Sequence, residues 1–252
     1  TTIVRTITES HCQPPWDGQM SLSIENNIAK VLETISALEE KYLRPPGSVT
    51  LMAVSKTHSA DMVRRAAAAG IYHIGENYLA EALDKMAKLK TTNLCWHFIG
   101  PIQSNKTRAI AEHFDWVHSI DRLKIAQRLN DQRPASLPPL KLCLQVNISN
   151  EASKSGISVQ DLPALAASIS KLPRLELRGL MAIPRATEDF QQQRDSFALL
   201  RKAFEQLQHD VPQMDTLSMG MTADMEAAIA EGSTMLRIGT GIFGQRSPGK
   251  AL

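Results

Sequence analysis

The chain has 252 residues, 43% hydrophobic and 21% charged, and its 28 Lys+Arg against 26 Asp+Glu leave a formal charge of +2. That balance gives no electrostatic footing for a nucleic acid or a membrane surface, and no apolar run is long enough to cross a bilayer. The length suits one (β/α)8 barrel, a fold of about 250 residues.

Residues 1–19 carry no amphipathic period and are broken by Pro14, Pro15 and Gly18. They are expected to form a disordered extension, leaving residues 20–252 as one barrel domain. The first element is a helix: Ile24, Ile28, Val31, Ile35, Leu38 and Tyr42 draw one apolar stripe, closed by Pro45, Pro46 and Gly47. From there the chain alternates. Short apolar runs are predicted as strands at Val49–Val54, Tyr72–Ile74, Leu94–Ile99, Trp116–Ile120, Leu140–Ile148, Leu175–Ile183, Thr216–Met219 and Met235–Ile238. Helical patterns separate them at Ala60–Ala69, Leu79–Leu89, Lys106–His113, Leu123–Asp131, Val159–Lys171, Asp189–His209 and Ala223–Ala230. Eight such units close naturally into a parallel barrel ringed by helices, here a TIM barrel with an extra N-terminal helix. The continuous apolar character of most strands predicts burial on both faces. The competing open doubly wound sheet lacks its GxGxxG fingerprint here.

Cys12, Cys95 and Cys143 are odd in number and widely spaced, without a CxxC, and the seven histidines form no HxxxH or HExxH. Neither a disulfide framework nor a metal site is expected, and a reducing compartment fits.

Barrel active sites lie at the C-terminal ends of the strands, so the polar residues there carry the chemistry. Lys56 closes the first strand. It reads either as a solvated strand-end lysine or as a partly desolvated amine able to form Schiff bases with carbonyl compounds. After strands seven and eight come Ser218-Met219-Gly220-Met221-Thr222 and Gly239-Thr240-Gly241, glycine-rich and hydroxyl-bearing where such barrels hold phosphate; ordinary turn chemistry is the other reading. Arg237 interrupts the apolar eighth strand and needs either an internal acid or a ligand. Asn77 either meets a ligand or caps the helix near Tyr78. His97 reads as a core histidine or a proton carrier. Lys154, in a Ser/Gly-rich turn, could meet a second phosphate.

The stretches LMAVSKTH, GENY, WHFIGPIQSNK, SKSG, GLMAIP, LSMGMT and GSTMLRIGTGIFG resemble the pyridoxal phosphate homeostasis proteins across about residues 21–246. That family is similar in fold to the N-terminal barrel of alanine racemase. The resemblance implies that Lys56 carries pyridoxal 5′-phosphate as a Schiff base, and that Ser218, Met219, Gly239 and Thr240 hold its phosphate. It also implies that Arg237 faces the pyridine nitrogen and that Asn77 lies beside the cofactor. Thr222 stands where the family commonly has serine, Ala223 replaces a commonly polar residue, and Lys41–Ser48 departs from the usual connection.

No room for a racemase's C-terminal β-domain is seen in Gln245–Leu252, and no second proton carrier is apparent. The expectation is therefore a cytoplasmic, monomeric cofactor carrier without a catalytic residue, serving PLP-dependent apo-enzymes. The alternatives are an amino-acid racemase and a Schiff-base aldolase acting on sugar phosphates.

Overall fold

The computed structural model describes residues 23–149 and 155–245. The expectations for residues 1–19 and for Lys154 fall outside the described residues.

Helix α1 (Ile24–Lys41) begins where the Ser23 hydroxyl accepts the Asn26 amide at 3.2 Å, and it buries Ile24, Ile28, Val31 and Ile35. It ends before the prolines. Buried Glu39 reaches back across the following turn and accepts the Gly47 and Val49 amides at 2.9 and 2.8 Å, satisfying backbone donors at the start of the barrel.

The alternation predicted from the sequence is observed. The strands are β1 (Thr50–Val54), β2 (His73–Glu76), β3 (Cys95–Phe98), β4 (Trp116–Ile120), β5 (Leu140–Gln145), β6 (Leu175–Met181), β7 (Thr216–Ser218) and β8 (Met235–Ile238). Between them run α2 (Ala60–Ala68), α3 (Leu79–Lys88), a 3-10 turn (Ser104–Lys106) leading into α4 (Thr107–His113), α5 (Leu123–Gln132), α6 (Leu162–Ile169), α7 (Phe190–Gln208) and α8 (Met225–Ala230). The strands are parallel neighbours in chain order and β8 returns to β1, pairing Thr50 with Met235 and Ala53 with Ile238, so the barrel closes and leaves no edge. A last helix, α9 (Thr240–Phe243), opens where the sequence reads as a glycine turn. It packs on α1, and the Asn27 side-chain amide donates to the Ile242 carbonyl at 2.9 Å.

The main core lies between strands and helices, where Leu51, Ala53, Ile74, Phe98, Val117, Leu142, Leu144 and Leu236 meet Phe114, Ile125, Phe197 and Ile229. Each large side chain buried there contributes about 1.5–3 kcal/mol. The expected burial on both strand faces is observed, but the inner face carries polar as well as apolar side chains. Alternate residues along β3 divide: Trp96 and Phe98 join the outer core, whereas Cys95 packs on a small separate cluster of Trp116, Cys143 and Met181. His97 stacks on Trp116 with ring centroids 5.5 Å apart. His118, Ser218 and Arg237 are also buried, so polar groups share the lumen of this barrel with Trp116, Cys143 and Met181.

Candidate functional site

A cavity of about 480 Å3 opens at the C-terminal ends of the strands, a size suited to a small cofactor. Val54, Lys56 and His58 supply one wall from the end of β1; Asn77 and Ile99 follow from β2 and β3. Met181 and Ile183 come from β6, Met221, Thr222 and Ala223 from the turn after β7, and Arg237, Gly239 and Thr240 from β8 and the start of α9.

Lys56 is half-buried and its backbone is clamped on both sides. On one side, the buried Lys85 ammonium donates to the Ser55 carbonyl, to Glu76 Oε1 and to Glu81 Oε1, each at 2.6 Å. The Ser55 hydroxyl also donates to Glu76. Burial pushes the Glu76 carboxyl above its ordinary range, and the adjacent Lys85 opposes that push. On the other side, Thr57 takes a left-handed backbone (φ 68°), uncommon for a β-branched residue, and its amide donates to Glu81 Oε1 at 2.6 Å. One buried lysine thus fixes both the strand end and the turn that present Lys56.

Asn77 does not cap α3: the cap position falls on Tyr78 without a side-chain hydrogen bond. Its Oδ1 is buried with no hydrogen-bond partner, so an acceptor at the cavity remains unsatisfied. The peptide behind it is packed hard against Gly100, where a Cβ would lie 2.2 Å from the Asn77 carbonyl oxygen.

Arg237 is buried, and oxygens other than carboxylates hold it. Nη1 donates to the Ser218 carbonyl at 2.5 Å and to its hydroxyl at 2.9 Å, and Nη2 donates to the Ala182 carbonyl at 3.0 Å. The internal acid considered from sequence is not in contact. Burial lowers its pKa to about 10, against a coulombic pull from Asp224, so the side chain stays cationic at neutral pH.

Of the residues nominated from sequence, Lys56, Asn77, Arg237, Gly239 and Thr240 meet at this cavity, whereas Ser218 and Met219 do not line it. Ser218 is turned into the barrel beneath Arg237, and Met219 is fully buried in the main core. The reason lies in Gly220, whose positive φ of 98° turns the chain after β7 so that Met221–Ala223 form the wall. Thr222 therefore lines the cavity, and its hydroxyl lies beside the start of α9, 3.2 Å from where a Gly241 Cβ would be. The first amides of α9 have no partners within their own helix.

His97 sits deep in the barrel within a chain of contacts. His73 Nδ1 and His97 Nε2 are 2.9 Å apart, as are His97 Nδ1 and His118 Nε2, and His118 Nδ1 and Ser218 Oγ. Arg237 offers only donors, so the Ser218 hydroxyl accepts from it and keeps its own proton and a second lone pair for the contact with His118 Nδ1. Each ring links two neighbours, and the chain of contacts joins Arg237, Ser218, His118, His97 and His73. Burial holds His97 well below the usual imidazole range and His118 at about 3.

A closed parallel barrel with a lysine, a buried arginine and a glycine-hydroxyl turn around one rim cavity defines the class of alanine-racemase-type barrels. Residues 27–247 match the family model described as alanine racemase, N-terminal domain. The chain is 59% identical over 227 residues to a pyridoxal phosphate homeostasis protein of Pseudomonas aeruginosa, covering 90% of this chain and 97% of that protein. Its namesake in Escherichia coli is 54% identical over 230 residues, covering 90% of this chain and 98% of the relative. PipY of Synechococcus elongatus, solved with PLP bound, superposes with a TM-score of 0.77 at 38% identity, covering 88% of this chain and 100% of that one. The chain belongs to the pyridoxal phosphate homeostasis protein family.

Proposed function

We propose that this chain binds pyridoxal 5′-phosphate through Lys56 and serves to hold and hand on the cofactor rather than to turn over a substrate. The observation that carries the reading is the convergence, on one rim cavity, of Lys56, the unsatisfied Asn77 Oδ1, the carbonyl-held Arg237 and the Thr222–Gly239–Thr240 turn. These residues fit the group. Backbone amides opening α9, with the Thr222 and Thr240 hydroxyls, would hold the phosphate. The half-buried Lys56 amine would hold the aldehyde carbon, with Asn77 alongside. Arg237 would meet the ring nitrogen.

When bound, the cofactor supplies an aldehyde that condenses with a primary amine, releasing water, and a ring that withdraws electrons. Arg237 limits that withdrawal, because a guanidinium locked by three oxygens does not surrender its proton. Proton carriers are also one-sided. Lys56 and His58 both come from the β1–α2 connection, while Met181, Ile183 and Met221 leave the opposing lining apolar. Among the described residues that line the cavity there is no tyrosine and no second lysine. Racemisation needs a carrier on each face of the reacting carbon.

The purified protein tests this directly. A yellow chromophore is expected that borohydride fixes onto the peptide containing Lys56 and that Lys56→Ala abolishes. An unmodified Lys56 in cofactor-saturated, borohydride-treated protein would defeat the assignment. A colourless protein active on sugar phosphates would indicate an aldolase, and turnover of an amino-acid enantiomer lost in Lys56→Ala a racemase. We place the protein in the cytoplasm as a monomer, a placement supported by the free thiols of Cys95 and Cys143. No helix among the described residues is long and apolar enough to cross a membrane. Transfer to a PLP-dependent apo-enzyme faster than from free cofactor is the expected signature of delivery.

A further inference from the structure

At the far end of the barrel, the N-terminal ends of β2 and β3 bring three soft ligands together. His73 and Cys95 are register partners, and His97 lies two residues beyond Cys95 on the same inward face. Their ligand atoms, imidazole nitrogens of His73 and His97 and the thiol sulfur of Cys95, all lie within 4.8 Å of one another. We propose that His73, Cys95 and His97 bind a zinc ion at the bottom of the barrel, at a site separate from the rim cavity.

Ligand type and geometry both suit the ion. Two imidazoles and a thiolate form a borderline-soft set suited to Zn2+, with water completing the tetrahedron. Zn–N bonds of about 2.0–2.1 Å at tetrahedral angles place two nitrogens about 3.3–3.4 Å apart. The rings of His73 and His97, now 2.9 Å apart at the relevant nitrogens, need to separate only slightly. The ion has an approach from solvent: His73 and Cys95 are partly exposed, and Cys95 lines a surface cleft with Asp115 and Lys141. Asp115 offsets the Lys141 ammonium on that rim, and a thiolate would neutralise one charge of the ion.

The site has a built outer partner. A metal-bound histidine holds its second ring nitrogen through a hydrogen bond, and His97 Nδ1 already contacts His118 Nε2 at 2.9 Å. Coordination at His97 Nε2 demands a proton on Nδ1. His97 then donates to His118, and His118 donates to the Ser218 hydroxyl, which has a lone pair for each of its two donors, His118 and Arg237. An ion at the base of the barrel therefore fixes one direction for the whole chain of contacts. This proposal does not depend on what the rim cavity binds.

The test uses the cofactor-free chain in a Cys12→Ser background, so that the accessible thiol reports position 95. Competition against a chromophoric chelator should show one Zn2+ per chain. Substituted Co2+ should give a thiolate charge-transfer band that Cys95→Ser removes. Loss of an outer partner already weakens metal binding roughly 10–100-fold, so His73→Ala and Cys95→Ser should each weaken Zn2+ by at least that much. Both side chains reach the surface, and melting curves check that the variants remain folded. Independently of any variant, Zn2+ should hold the ring proton of His97 on Nδ1, with Nε2 unprotonated, in 15N NMR. Absence of stoichiometric binding, affinity unchanged in both variants, or a His97 proton on Nε2 in the presence of Zn2+ would each overturn the proposal.

Discussion

Replacing Lys85 by methionine removes the cation on which the Lys56 presentation rests. The ammonium and Glu76 are essentially inaccessible, at 3% and 0% side-chain exposure. Glu76 Oε2 has no hydrogen-bond partner, so the variant leaves a buried carboxylate supported only by the Ser55 hydroxyl. Removing one partner of such a buried pair costs about 3–5 kcal/mol. Glu81 is 26% exposed and its share of the loss is small, because water replaces the lysine there. In a chain of this length each kcal/mol lowers Tm by about 2–4 °C, so calorimetry should record a fall of about 6–20 °C. The double variant Lys85→Met, Glu76→Leu removes both charges and should recover most of the loss, since an apolar replacement of a buried pair is often close to neutral. A single variant within about 1 kcal/mol of the parent, or a double variant no better than the single, would refute this account of the network.

Acid should destabilise the fold through its lumen. His118 titrates at about 3 in the folded chain, and His97 is also held well below the imidazole range. The unfolded chain takes up those protons near 6.5, so stability is fully present above that value and is lost as pH falls toward the folded values. His118 alone costs about 2 kcal/mol between pH 7 and 5, measurable by urea unfolding, and His118→Asn should flatten that slope. Gly220→Ala should unfold the turn after β7, because its φ is 98° and a Cβ would come within 2.5 Å of the Ala228 Cβ; a destabilisation above about 2 kcal/mol is expected. Thr222→Ala and Thr240→Ala should each weaken cofactor binding by about 1 kcal/mol, roughly fivefold by spectroscopic titration, without altering Tm.

Much of the architecture is legible in the sequence because parallel strands under a helical ring leave compact apolar runs between amphipathic stretches. The runs at β5 and β6 overreach. Beyond Gln145 the chain leaves the sheet, and Val146 makes only an isolated bridge to Ile157. Helix α9 is hidden because four residues beginning Thr240-Gly241 read as a turn, and its formation depends on packing against α1. That Lys56, Gly239 and Thr240 share a rim cavity follows from their places at strand ends, and Arg237 stands out as the one charge in an apolar strand. Ser218 and Met219 lie off the cavity lining because which residues of a short strand end face the rim is decided by the turn at Gly220, which strand periodicity does not encode. The histidine chain is invisible for a related reason. His73, His97 and His118 are far apart along the chain, and strand register and the closed barrel alone bring them together.

The rim is assembled from the two ends of the barrel's run. Lys56 follows the first strand, whereas Arg237 and Thr240 belong to the last strand and the short helix that α1 clasps. During synthesis the amine leaves the ribosome some 180 residues ahead of the elements facing it, at typical elongation rates roughly 10–40 s earlier. A nascent chain thus displays the lysine long before its pocket exists, and selectivity for a ligand begins only when the seam between β8 and β1 zips shut.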